Sequence, residues 1–161
     1  MRVTLDANVL VRAHPRSRSI ARRLLVALIE GGHSLVLSNE VIAETIQVLR
    51  YPRLQKRFAL TEEELYDYAQ FLRQVSHTVV LGQPFLAPLR DPDDLDVLQT
   101  AERGAADVLC SNDGDFHESG ILRYCAARGI EVLNENTMLA RLAGSVRPTE
   151  ITMHRGVIPF R

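Results

Sequence analysis

Short apolar runs alternate with amphipathic helical stretches along this chain, and that alternation constrains the fold more than any single motif. Val3 and Leu5 alternate with Arg2 and Thr4 as a strand over 2–5. Ser17 to Ile29 reads as a helix with Ile20, Leu24, Ala27 and Leu28 on one face, stopped by Gly31-Gly32. A buried strand over 35–37 ends at Ser38, and a helix from Asn39 to Arg50 follows, closed by Pro52. Thr61 and Glu64 form a capping box, with Leu60 and Leu65 spaced as a hydrophobic staple, and open a helix to Val75. A strand is expected over 79–81. The second half repeats the pattern: helix 94–103, strand 107–110, helix 121–128 ending at Gly129, strand 131–133, then a helix capped by Asn134 through Leu142. Strands alternating with helices predict an α/β sandwich around a mainly parallel sheet. Ligands of such sheets gather at the carboxyl ends of the strands.

At 161 residues and 46% hydrophobic content, the chain fits one domain with a substantial core. It has no repeat period or low-complexity segment. Arg2 and Asp6 interrupt the N-terminal apolar run, so no signal peptide is expected, and no run of about 18 apolar residues suggests a membrane span. Cys110 and Cys125 sit in apolar surroundings without metal-ligand spacing and read as reduced thiols of a cytoplasmic protein. Net charge is −1, unevenly spread: residues 1–60 hold ten Lys/Arg against four Asp/Glu, and residues 61–120 hold three against thirteen. An acidic middle beside a basic start suggests a carboxylate cluster next to a phosphate-binding surface.

The acids fall at element edges. Asp6 ends the first strand, Glu44 flanks the apolar face of the second helix, Asp91, Asp93 and Asp94 precede a later helix, and Asp113 and Asp115 follow a strand. Each has an ordinary structural reading. Asp6 can cap a turn, Glu44 can be a surface glutamate, one acid of Asp91-Pro92-Asp93-Asp94 can be an N-cap, and Asp113 and Asp115 can form an Asx turn. Together they read differently, because close carboxylates raise one another's pKa unless a cation neutralises them. All-oxygen ligation favours Mg²⁺ or Mn²⁺. The five histidines, His14, His33, His77, His117 and His154, are scattered singletons that form no zinc pattern.

In this order and spacing the motifs resemble the PIN-domain ribonucleases, in particular the VapC-like toxins of type II toxin–antitoxin pairs. The resemblance covers about residues 1–142 and leaves 143–161 as a C-terminal extension. It rests on Leu5-Asp6-Ala7-Asn8-Val9-Leu10, on Ser38 and Glu44 in Leu37-Ser38-Asn39-Glu40-Val41-Ile42-Ala43-Glu44, and on Arg90-Asp91-Pro92-Asp93-Asp94 leading to Thr100-Ala101. Gly104-Ala105-Ala106-Asp107-Val108-Leu109 and Ser111-Asn112-Asp113-Gly114-Asp115-Phe116 complete the set. The resemblance implies that Asp6, Glu44, Asp94 and Asp113 form an acidic quartet, with Asp115 a fifth metal-side acid and Asn8, Ser38 and Ser111 in support. Asp91 and Asp93 stand beside Asp94 as alternatives for the third ligand. The chain departs from the family pattern at Ala7, where a small hydroxyl residue is common, and at Gly114, where a basic residue is frequent.

The resemblance further implies a PIN-like fold, metal-assisted hydrolysis of RNA leaving 5′-phosphates, a protein antitoxin as partner and a homodimer. Arginines suit substrate grip because they pair bidentately with phosphate; Arg12, Arg16 and Arg53 are the candidates, among neighbours such as Arg18, Arg22, Arg23 and Arg57. Two other readings compete. An aspartate-based α/β phosphatase would want Asp-x-Asp after the first strand, where this chain has Asn8, and a suitably placed lysine, where Lys56 is the only one. A non-catalytic RNA- or protein-binding module would have little need of the whole acidic set.

Overall fold

A computed structural model describes residues 1–83 and 85–145. Five parallel strands, β1 (Arg2–Leu5), β2 (Ser34–Ser38), β3 (Ser76–Val79), β4 (Val108–Cys110) and β5 (Glu131–Leu133), lie in the order β3-β2-β1-β4-β5. The expected α/β sandwich is therefore present, with every strand pair parallel. Among the described residues the α-helices are α1 (Ala7–Arg12), α2 (Ile20–Glu30), α3 (Asn39–Leu49), α4 (Pro52–Phe58), α5 (Glu62–Val75), α6 (Leu95–Arg103), α7 (Ser119–Ala126) and α8 (Glu135–Ser145). α6 packs across β1 and β2, α7 lies against β5, and α2 lies against α8. The chain winds outward from β1 in one direction and then returns to add β4 and β5 on its other side. The switch in winding direction, where such sheets open a crevice, therefore falls between β1 and β4.

Local chemistry explains most boundaries. Ser19 caps α2, Ser38 caps α3, and the Thr61–Glu64 capping box opens α5 with Leu60 and Leu65 both buried beneath it. Tyr68 is fully buried and its hydroxyl donates to the Leu10 carbonyl at 2.7 Å, which fixes α5 on α1. Gly104 ends α6 where a side chain has no room. A Cβ there would overlap Val36 Cγ1 and lie 3.0 Å from the Thr100 carbonyl oxygen.

Two expectations need correction. The third strand is Ser76–Val79, three residues earlier than 79–81, because it follows α5 directly and registers against Leu35–Ser38. Pro52 does not merely close α3. It sits in the first turn of α4, where a missing N–H costs nothing. Of the expected extension over 143–161, residues 143–145 continue α8, and 146–161 lie outside the described residues.

Candidate active site

Asp6 stands at the switch point. Its backbone N–H donates to the Cys110 carbonyl at 3.0 Å, continuing the β1–β4 ladder, and its side chain is 3% exposed. One carboxylate oxygen accepts from the Asn8 N–H at 3.3 Å, so Asp6 is indeed an N-cap. The other accepts from the Ser111 hydroxyl at 2.6 Å. Ser111 Oγ in turn accepts from the Asp113 N–H at 3.0 Å, and Asp113 accepts from the Asp115 N–H at 3.0 Å. A buried serine thus ties the acid after β1 to the acidic turn after β4. Burial raises the Asp6 pKa and nearby Asp113 adds to this, while the Ser111 and Asn8 bonds and the Arg12 charge oppose it.

Glu44 and Asp94 bring the charge of two further elements. Glu44 is pushed up to about 7, first by burial and then by the charges of Asp6, Asp93, Asp96 and Asp91. Asp94, in the 3₁₀ turn Pro92–Asp94, is also pushed up to about 7, by burial and then by Asp6, Asp113, Asp91 and Asp115. Neither side chain makes a hydrogen bond or ion pair among the described residues. Within the Asp91–Asp94 run, Asp91 accepts from the Asp93 N–H and caps the turn, and Asp93 lines a pocket with Glu40, Glu44 and Asp96. Asp94 lies within electrostatic reach of both Asp6 and Asp113. Asp6 thus lies within electrostatic reach of Glu44, Asp94 and Asp113, and Arg12 is the cation that opposes their repulsion at Asp6. Among the described residues no three of them close to metal-ligating geometry. Their donor chemistry, carboxylate oxygen alone, suits a hard divalent cation.

Ser38 plays a structural part. It is fully buried, its hydroxyl accepts from the Val41 N–H at 3.2 Å, and Thr100 Oγ1 lies 2.8 Å away. It therefore joins α3, which carries Glu44, to α6, which follows Asp94. Asn8 is exposed and contributes its backbone N–H. Of the candidate cations, Arg12 bonds the buried Glu135, and Arg16 forks onto Glu64 at 2.8 Å. Arg53 is exposed on α4 with no ion pair among the described residues. Two residues had no signal in their own sequence neighbourhood. His117 lies with Nε2 2.7 Å from the Ser111 carbonyl oxygen, and Glu135 begins α8, its N–H donating to Asn112 Oδ1 at 2.9 Å. Both brace the Ser111–Asp113 turn, and only their position after β4 and β5 could have pointed to them.

A parallel sheet with acids at its switch point defines an α/β domain of the kind that binds ligands at the carboxyl ends of its strands. The family model described as PIN domain matches residues 2–115, and the chain belongs to that family. PIN domains are generally nucleases, and typically depend on divalent metal. A search of curated proteins finds no match. No described helix is long and apolar enough to cross a membrane.

Proposed function

We propose that the chain is a divalent-metal-dependent endoribonuclease, the toxin of a toxin–antitoxin pair, with residues 1–142 as its nuclease unit. The observation that carries this reading is the electrostatic proximity of Asp6 to Glu44, Asp94 and Asp113, with Ser111 linking Asp6 to the Asp113 turn. These four, with Asp115 beside them, would hold Mg²⁺ or Mn²⁺. When bound, the metal supplies a water of lowered pKa and stabilises charge on the phosphate. The Ser111 hydroxyl and the Asn8 N–H hold the Asp6 carboxylate in one orientation, and Ser38 fixes the helix carrying Glu44. Leu5 and Phe116, which flank Asp6 and Asp115 in sequence, are fully buried and anchor those two acids to the core. A protein antitoxin, a second copy of the chain and RNA are the proposed partners.

Incubation of the purified chain with end-labelled RNA, with Mn²⁺ or Mg²⁺ against EDTA, tests the reading. Metal-dependent internal cuts that vanish in Asp6→Asn support it. Binding without cutting under every metal condition would mark a non-catalytic module.

A further inference from the structure

The crevice repels a polyanion, so a strand of RNA has to be held by something other than the acids. The ion pairs among the described residues occupy Arg12, Arg16, Arg50, Arg90, Arg128 and Arg141. Exposed Arg18, Arg23, Arg53 and Lys56 are in none of them. These four come from two segments far apart in sequence that meet in space. The His14 ring packs on Phe58 at the end of α4, 4.2 Å between centroids, and Arg16 Nη1 donates to the Phe58 carbonyl at 2.9 Å. His14 lies within electrostatic reach of Arg22, Arg16 and Arg57, which together with burial hold its pKa below the usual range. Arg57 in turn sits 5.1 Å over the Phe58 ring. Next to this junction, Arg16, Arg18, Arg22 and Arg23 line an open cleft of about 530 Å³ in which Glu30 is the one acid.

At the other end of α4, Tyr51 is 51% exposed and lines the same pocket as Glu44. α4 is seven residues long and so spans about 10 Å. It therefore leads from the rim of the carboxylate crevice to the arginine cleft.

We infer that the chain holds single-stranded RNA along α4, stacking a base on Tyr51 and pairing the adjoining phosphates with Arg53, Lys56 and the arginine cleft at the start of α2. The choice of RNA over an acidic protein rests on the nuclease reading. An exposed aromatic at the near end of a cationic track also suits nucleic acid, since bases stack on a ring irrespective of sequence while phosphates pair with the charges.

The test is binding, measured without metal so that no cutting is needed. Fluorescence anisotropy of the full chain with a labelled single-stranded RNA is followed in EDTA over a series of KCl concentrations. Arg18→Ala with Arg23→Ala should weaken binding and make the slope of log K against log salt shallower by about 1.4, two single-strand phosphate contacts being lost. Tyr51→Ala should weaken binding about fivefold or more with the slope unchanged, and Tyr51→Phe should restore it. Arg128→Ala, paired with Glu102 on α6, should match the wild type. Wild-type affinity and slope in both the Arg18/Arg23 and Tyr51 variants would overturn the inference. So would displacement of the RNA by poly-glutamate of matched charge at equal concentration, which would make the face a protein-binding one. If these binding effects appear in a chain that cuts no RNA with any metal, the catalytic reading fails and the track stands.

Discussion

Glu44→Gln should make the metal-free protein more stable, contrary to the usual effect of altering a half-buried residue. The side chain forms no hydrogen bond or ion pair among the described residues, so glutamine gives up no partner. Its pKa rises from 4.5 to about 7, equivalent to at most about 3 kcal/mol of penalty on the ionised folded form. Glu44 is only half-buried, and water at the rim screens its neighbours, so about 1–2 kcal/mol is expected. Between 4.5 and about 7, folded Glu44 keeps a proton that the unfolded chain has released, so its contribution to stability falls as pH rises through that window. Above about 7 the whole penalty is present in the wild type and absent in the variant. Thermal unfolding in EDTA at about pH 8 should therefore show the variant melting about 2–8 °C higher, at 2–4 °C per kcal/mol for a domain of this size. The gap should close as pH falls below 4.5, where the folded and unfolded carboxyls are both largely protonated. Millimolar Mn²⁺ should raise the wild-type Tm by mass action and the variant less. A Glu44→Gln protein that melts below wild type at about pH 8 in EDTA would refute the idea of uncompensated carboxylates at the crevice.

Asp6→Asn should keep α1 capped, since Asn caps as well as Asp, while RNA cleavage falls by orders of magnitude; a variant that cuts at the wild-type rate would remove Asp6 from the chemistry. Ser111→Ala removes the 2.6 Å bond to Asp6 and the acceptor for the Asp113 N–H, so a loss of about 1–3 kcal/mol is expected in denaturant unfolding, together with reduced cleavage. Gly104→Ala should cost about 1–3 kcal/mol by overpacking against Val36, read as a lowered Tm. His14, held below its usual pKa by burial and three arginines, stabilises the fold while neutral. That contribution should be lost as pH falls from the unfolded value of 6.5 through the folded one, and NMR should find the ring titrating below 6.5, its neutral form carrying the proton on Nε2 because Nδ1 accepts from the Arg16 N–H.

Periodicity and capping chemistry act over a few residues, and what they govern was legible in the sequence. The strand over 2–5, the Ser38 and Thr61 helix starts, the stop at Gly31-Gly32 and the parallel α/β class all follow from local patterns. The acids at element edges could be picked out for the same reason, since a strand end in a parallel sheet is a fixed address. Other features needed the assembled fold. Nothing local separates Asp94 from Asp91 and Asp93; the packing of α6 across β1 and β2 sets Asp94 towards Asp6 and Asp113 and leaves Asp91 to cap a turn. Arg16 and Arg18 are two residues apart and line the same open cleft, yet only Arg16 is paired with Glu64, because α5 brings Glu64 to one of them and not the other. Glu135 gained its place beside Asn112 only when β4 and β5 came together. Charge partners are chosen by distance in space, which hydrophobic period and helix caps do not encode.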